Sequence, residues 1–311
     1  MTISVKELTR VEERKMVEER HVQGSPRLAV RDHGGQRDGR DIVLLHGFGG
    51  NAFNWEEFAP LLTSRHRVVA CDLRCHGRSD DGVWDWEALV DDVDRVVADL
   101  DAERSVVVGH SLGGAVATLW AGRHPEAAGA VNIDGFRGVE TEERHYLGLD
   151  PDELTARLAE LNADFAAQAA ALAEPLQPAA VEAARSQHRT AGGDRAVEAF
   201  DRGLTVRDGR TVARPDPGTV AAFRTRMAAL DLTEPLAAIR CPVLVLAATR
   251  DLPEAERYAD LLAAWRRGVE RDLDSVTRAN PRVRVEHVAA SHAMVLEAPD
   301  LVAVHVLDFL G

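Results

Sequence analysis

Short apolar segments that alternate with helix-forming segments are the feature that most restricts how this chain can fold. Each segment is β-branched or aliphatic and is bounded by glycine, proline or charge; together they span 27–31, 41–46, 67–72, 105–109, 129–134, 242–246 and 283–288. Segments that are apolar on both faces are typical of buried parallel strands. Helical periodicity lies between them, at 55–62, 86–100, 112–124 and 295–310. The alternation predicts an α/β fold with a doubly wound sheet.

The alternation stops near Asp134 and resumes near Pro242. The residues between them are rich in Ala, Glu and Arg and contain no clear strand. Prolines and one Gly-Gly pair divide this stretch into four predicted helices. We therefore predict a core made of residues 1–136 and 237–311, with residues 137–236 inserted as a helical cap. The first twenty residues predict a charged helical extension.

Charge and composition restrict which partners and which cellular compartment we expect. Lys and Arg number 37 and Asp and Glu 51, a net charge of −14 at pH 7, which argues against nucleic acid or a membrane as partner, because both select basic faces. No segment approaches the roughly 18 apolar residues of a membrane span, and the N-terminus lacks the apolar core of a signal peptide. The three cysteines, Cys71, Cys75 and Cys241, show no disulfide or metal spacing. We therefore expect a cytoplasmic protein with reduced thiols; its oligomeric state is left open.

Residues 109–113 read GHSLG and lie between a strand-forming and a helix-forming segment. A G-x-S-x-G sequence in this context is typical of the nucleophile elbow, a sharp turn that holds the serine Oγ above the sheet. The helix that follows directs the positive end of its dipole at developing negative charge. We therefore predict that Ser111 is a nucleophile, the alternative being a serine in an ordinary turn.

A serine nucleophile needs a base, and the base needs an acid that orients it. His292 is the predicted base, because it follows the last strand-forming segment at the edge where the sites of open α/β sheets lie. His287 is a competitor, but it lies within that segment. The predicted acid is Asp251, in the loop after segment 242–246, with Asp134 as the alternative. Either carboxylate would accept the His292 Nδ1–H and stabilise the imidazolium.

The segment 41–46 leads into residues 46–50, HGFGG. Glycines allow the backbone to approach a ligand, and we predict that the amides of Phe48 and Leu112 form an oxyanion hole. The same residues also fit a G-x-G-x-x-A dinucleotide pattern, with Asp72 about twenty residues further on. A dehydrogenase built on that pattern would leave Ser111 and His292 unexplained.

Taken together, these residues make the chain resemble the α/β-hydrolase family over nearly its whole length. The matching motifs are HGFGG at 46–50, DLRCHGRSD at 72–80, GHSLGG at 109–114, the strand and aspartate ending at Asp251, and SHAM at 291–294. The resemblance implies an eight-stranded, mostly parallel sheet, a helical cap after the sixth strand and a Ser–His–Asp triad. Two positions depart from the pattern, since relatives usually have Gly where Cys75 and Ala290 stand.

The expected reaction is hydrolysis of a carboxylic ester, lactone or thioester through an acyl-Ser111 intermediate, without cofactor or metal. The fold also hosts carbon–carbon bond hydrolases and cofactor-free lyases or haloperoxidases, and the triad does not choose between them. Serine at position 111 argues against haloalkane dehalogenases and epoxide hydrolases, which use a carboxylate nucleophile on this fold. A ligand-binding protein that keeps the triad without turnover is the alternative from another class.

The substrate is expected to be a small, apolar molecule held under the cap. The candidate aromatic linings of its pocket are Phe136, Tyr146, Phe165 and Phe200. Aromatic residues at helical spacing are also typical of a helix core, so this expectation depends on where the cap helices lie.

Overall fold

The structure, a computed structural model, describes residues 17–36, 40–101 and 105–311. Most of the predicted N-terminal extension, residues 1–16, lies outside this range, and the helix predicted there is wrong from Glu18 onwards, where a strand begins. The strands of the main sheet are β1 Glu18–Val22, β2 Leu28–Gly34, β3 Asp41–Leu45, β4 Arg67–Cys71, β5 Ser105–His110, β6 Gly129–Ile133, β9 Val243–Ala248 and β10 Val283–Val288.

The strands lie in the order β1-β2-β4-β3-β5-β6-β9-β10. The pairs β1–β2 and β2–β4 are antiparallel, and the other neighbouring strands are parallel. The chain leaves the sheet after β6 and returns beside it in β9. The predicted eight-stranded, mostly parallel α/β sheet is therefore confirmed.

The central strands are buried on both faces because helices cover both sides of the sheet. Along β3, Ile42 and Leu44 belong to one apolar cluster, whereas Val43 and Leu45 belong to the cluster on the opposite face. All four side chains are removed from water. This two-sided burial explains why the strand segments are continuous apolar runs rather than alternating ones.

The helices that flank the sheet are α1 Trp86–Asp99, α2 Leu112–Arg123, α7 Ala259–Ala279, α8 Met294–Glu297 and α9 Pro299–Leu310. The single helix predicted for 295–310 is divided, because Pro299 has no amide hydrogen to donate and starts a new helix. The α-helix predicted for 55–62 is wrong, since two short 3-10 segments, Ala52–Trp55 and Ala59–Leu61, occupy this part of the chain.

Residues 137–236, called the cap segment below, hold α3 Pro151–Ala173, α4 Pro178–Arg202, β7 Leu204–Arg207, β8 Arg210–Ala213, α5 Pro217–Ala228 and α6 Thr233–Ala238. The sequence predicts no strand in this segment. That prediction is wrong, because β7 and β8 form an antiparallel hairpin. Its two-residue turn is Asp208-Gly209, with φ values of 51° and 71°. Asp-Gly favours such turns, so this dipeptide was the signal for the hairpin.

Candidate active site

Ser111 lies in a strained turn between β5 and α2. Its φ of 52° and ψ of −115° are rare for a residue with a side chain and cost on the order of 1–3 kcal/mol. A Cβ atom on Gly109 would lie 1.9 Å from the Gly113 carbonyl oxygen, and one on Gly135 would lie 2.1 Å from the Ser111 carbonyl oxygen. A Cβ atom on Gly113 would lie 2.2 Å from the Leu45 carbonyl oxygen, so both glycines of the G-x-S-x-G pattern are required for close packing around Ser111.

His292 lies after β10 and Asp134 directly after β6, at the same edge of the sheet as Ser111. The His292 Nδ1 atom is 2.7 Å from Asp134 Oδ2. The other carboxylate oxygen, Asp134 Oδ1, accepts a hydrogen bond of 2.9 Å from the amide of Ala248. Both oxygens of this carboxylate are thus held, and Nδ1 of His292 has a fixed acceptor.

The predicted acid, Asp251, lies elsewhere. Its carboxylate forms an ion pair with the two terminal guanidinium nitrogens of Arg266 on α7, one of them at 3.0 Å. Asp251 follows β9 by three residues and faces this helix, whereas Asp134 is the first residue after its strand. The geometry therefore corrects the leading prediction, because His292 contacts the alternative acid, Asp134.

The two partners shift each other's protonation. Burial lowers the pKa of His292, but the hydrogen bond and the charge of Asp134 outweigh burial, so this pKa is raised above 6.5. Burial raises the pKa of Asp134, but the hydrogen bond and charge of His292 bring it below 3.8. At neutral pH, Asp134 is thus a carboxylate that strengthens His292 as a base.

The loop after β3 lies against the nucleophile. A Cβ atom on Gly47 would lie 3.3 Å from Ser111 Cβ, so the backbone of this loop approaches the serine closely. His46 holds the loop, because its Nδ1 donates to the Gly47 carbonyl oxygen at 2.7 Å and its Nε2 accepts from the Leu73 amide at 3.0 Å. Phe48, whose amide is the first of the two predicted oxyanion donors, follows Gly47 in this loop.

The second predicted donor, the Leu112 amide, belongs to the first residue of α2. The first amides of a helix have no acceptor within the helix, so this group is available to a ligand. Leu112 itself is fully buried beneath the elbow. That the Phe48 and Leu112 amides bind a negatively charged oxygen together remains a prediction.

Apolar side chains from the core and the cap segment meet at Phe48. The ring of Phe48 stacks on Phe223 of α5, with 3.8 Å between ring centroids and 8° between planes. Trp84 contacts both rings edge-on. Phe223 was missed by sequence reasoning, although its spacing from Val220 and Met227 on α5 places the three on one helix face.

The four predicted aromatic linings are dispersed. Phe136 packs in the main core cluster with Met227. Tyr146 and Phe165 belong to a separate cluster at α3 and α7. Phe200 stacks on His188 within α4. Only Phe136 of these four therefore shares a cluster with the residues around Phe48.

Asp72, the acidic residue of the dinucleotide pattern, is already bonded to protein groups. Its fully buried carboxylate accepts hydrogen bonds of 2.7 Å from the amides of Ala52 and Arg78 and from Nε of Arg202. A dinucleotide-binding carboxylate must instead reach a ribose hydroxyl. The structure thus gives Asp72 a structural role and leaves the dinucleotide interpretation without its acidic residue.

Comparison with known proteins agrees with this geometry. The model of the alpha/beta hydrolase family matches residues 42–305. The chain belongs to the alpha/beta hydrolase family. Members of this family are hydrolases.

Individual relatives differ in their reactions. Epoxide hydrolase B of Mycobacterium tuberculosis is 39% identical over 111 residues, which are 34% of this chain and 31% of that protein. The pimeloyl-[acyl-carrier protein] methyl ester esterase of Vibrio cholerae is 31% identical over 127 residues, 41% of this chain and 49% of that protein. The chain therefore matches less than half of the length of either relative.

Among solved structures, the present chain matches E-2-(acetamidomethylene)succinate hydrolase with a TM-score of 0.68. The match covers 94% of this chain and 99% of the other, at 21% identity, and it shows the shared fold. Within residues 17–36, 40–101 and 105–311, no helix is long and apolar enough to cross a membrane.

Proposed function

We propose that this hydrolase cleaves a carboxylic ester, lactone or thioester through an acyl-Ser111 intermediate. The observation that carries the proposal is that the strained Ser111 turn and the His292–Asp134 pair lie at the same edge of the sheet. Asp134 fixes the proton of His292 on Nδ1, which leaves Nε2 free to accept the serine proton. A serine activated in this way is a nucleophile for acyl groups.

The proposed reaction has two halves. Ser111 Oγ attacks the acyl carbon as its proton passes to His292 Nε2, and the tetrahedral oxyanion binds the amides of Phe48 and Leu112. His292 then returns the proton to the leaving alcohol or thiol, and the acyl-serine forms. In the second half His292 takes a proton from water, the hydroxide attacks the acyl group, and the proton returns to Ser111.

We further propose an apolar acyl group on the substrate. The support is the cluster of Phe48, Trp84 and Phe223 beside the predicted oxyanion loop, which extends to Met227 and Leu230 of the cap segment. Arginines of the cap segment near the core have protein partners, as Arg202 and Arg214 show. The side chains beside Phe48 therefore favour an apolar group over a carboxylate.

The test is the intact mass of the protein after incubation with a fluorophosphonate. We expect one covalent adduct on the wild type and on Ser64→Ala, an exposed serine control, and none on Ser111→Ala. Turnover is then measured on matched 4-nitrophenyl esters, a lactone, a thioester and a diketone. A wild type without adduct would contradict the proposal, and so would an adduct that accompanies turnover of the diketone alone. An adduct without turnover of any of them would indicate a ligand-binding protein.

A further inference from the structure

His110, the residue before the predicted nucleophile, contacts the backbone of the predicted base. Its Nε2 atom lies 2.7 Å from the carbonyl oxygen of His292, which is 182 residues away in the chain. The two imidazole rings are 4.9 Å apart between centroids and tilted by 43°. This hydrogen bond joins the segment that carries Ser111 directly to the segment that carries His292.

The acceptor determines the proton position on His110. A carbonyl oxygen only accepts hydrogen bonds, so Nε2 of His110 must carry a hydrogen. Burial and, to a smaller extent, the charge of His292 lower the pKa of His110, whereas the hydrogen bond to the His292 carbonyl and the charge of Asp134 raise it; the balance lowers this pKa to about 4. His110 is therefore neutral at pH 7 and donates to His292 through Nε2.

Other contacts hold different parts of the same loop. Asp134 binds the side chain of His292 at Nδ1. Glu297 on α8 accepts hydrogen bonds from the amide and Oγ of Ser291, the residue before His292. His110 adds a bond to the main chain of His292 itself, and it comes from the residue that is covalently joined to Ser111. Of these three contacts, the bond from His110 is the one that ties the position of His292 to the chain segment that carries Ser111.

We propose that His110 is a positioning residue, whose hydrogen bond to the His292 carbonyl fixes the distance between the base and Ser111. The proposal rests on the function proposed for Ser111 and His292. Proton transfer from serine to histidine depends steeply on this distance, and a displacement of about 1 Å can lower a rate by on the order of 100-fold. Because Glu297 still holds Ser291, loss of the His110 bond is expected to displace His292 without unfolding its loop.

The experiment compares His110→Phe, which keeps a planar ring without a donor, with His110→Gln, whose amide can still donate. The matched control is His33→Phe, a buried histidine on β2. For His110→Phe we expect kcat on a 4-nitrophenyl ester and the rate of fluorophosphonate labelling to fall by about 10- to 100-fold, with KM unchanged. His110→Gln is expected to recover most of this loss, and His33→Phe to keep wild-type kinetics.

A readout that does not need turnover is the NMR signal of the His292 ring. It is expected to be sharp in the wild type and in His110→Gln, and broadened by exchange in His110→Phe. A sharp signal in His110→Phe, or wild-type kcat in that variant, would overturn the proposal. Equal losses of kcat and of melting temperature in both His110 variants would indicate packing alone and would also overturn it. Failure of the wild type to react would contradict the proposed function instead, and the NMR comparison would still decide the role of His110.

Discussion

The sheet core and the cap segment are stabilised in different ways. Strands β3 to β6 bury nearly every side chain, and Ser111 and Asp134 follow directly from the ends of β5 and β6, whereas His292 lies four residues after β10. By contrast, the 23-residue helix α3 buries only Leu154 and Leu161, and most of α4 is exposed. Ser111 and Asp134, at the ends of buried strands, are held rigidly, whereas α3 and α4 have few buried apolar contacts that fix them.

Polar contacts from two arginines fasten the cap segment to the core. Arg202, at the end of α4, has a fully buried side chain that binds Asp72 at 2.7 Å and Glu19 at 2.8 Å. Arg214, after β8, donates to the carbonyl oxygens of Gly77 and Ser79, both at 2.8 Å. All of the core groups lie on the β1–β4 side of the sheet. The comparison indicates that the proposed reacting groups belong to the core, and that the cap segment is attached both by buried charged groups and by the apolar side chains of α5 that reach the core cluster.

The largest effect should separate the two candidate acids. We expect Asp134→Asn to lower kcat by about 1,000- to 10,000-fold, because the amide cannot hold His292 in the required tautomer or stabilise its charge. Asp251→Asn serves as the matched control and should change kcat by less than about threefold, since Asp251 binds Arg266. Steady-state kinetics on one ester measure both. Loss of activity in Asp251→Asn alone would restore the acid predicted from sequence.

The next largest effect concerns the attachment of the cap segment. Arg202→Met leaves the buried Asp72 carboxylate without its charged partner, which should lower the free energy of unfolding by about 3–5 kcal/mol. Arg214→Met removes bonds to neutral carbonyls and to the half-exposed Asp81, and a smaller loss of about 1–3 kcal/mol is expected. Urea denaturation measures both losses. A cost below about 1 kcal/mol for Arg202→Met would show that the ion pair does not fasten the cap segment.

The pH dependence of activity should be determined by His292 and Asp134 in the core and not by groups of the cap segment. In the proposed mechanism neutral His292 is the base, so kcat/KM should fall about tenfold per unit as pH decreases below the pKa of His292. Burial lowers this pKa, but Asp134 raises it more, so the decline should begin above pH 6.5. In Asp134→Asn burial acts alone, and the decline should move to lower pH. Profiles between about pH 5 and 9 should be alike for the wild type and Arg214→Met.

The smallest effect concerns Cys75, in the loop that Arg214 contacts. Its φ is 67°, a left-handed value that favours glycine, which explains why relatives usually have Gly there. The thiol is buried and lies 3.3 Å from the Gly82 carbonyl oxygen, a packing role. Cys75→Gly removes the backbone strain and Cys75→Ala keeps it, so the Gly variant should be more stable by about 1 kcal/mol. Thermal unfolding of both variants checks the order, and a more stable Ala variant would contradict it.

Much of the core could be predicted because its signals are local. Strands β2 to β6, β9 and β10 were found from continuous apolar runs, and α1 and α2 from helical periodicity. Both helices end one residue before the predicted position. The hairpin of β7 and β8 was missed, because its strands are short and only half-buried and therefore lack an apolar pattern. Phe223 was missed because its importance depends on Phe48, a contact between distant parts of the chain.

The sequence by itself determined the strand–turn–helix around Ser111, because the glycines at 109 and 113 and the apolar run before them specify a local geometry. It also placed His292 after the last strand. Only the tertiary structure decided that Asp134, not Asp251, contacts His292, because the choice depends on strand order and on Arg266 of α7. The bond from His110 to His292 and the burial of Arg202 against Asp72 are likewise long-range. Such pairings arise from the packing of distant segments, which no spacing along the chain encodes.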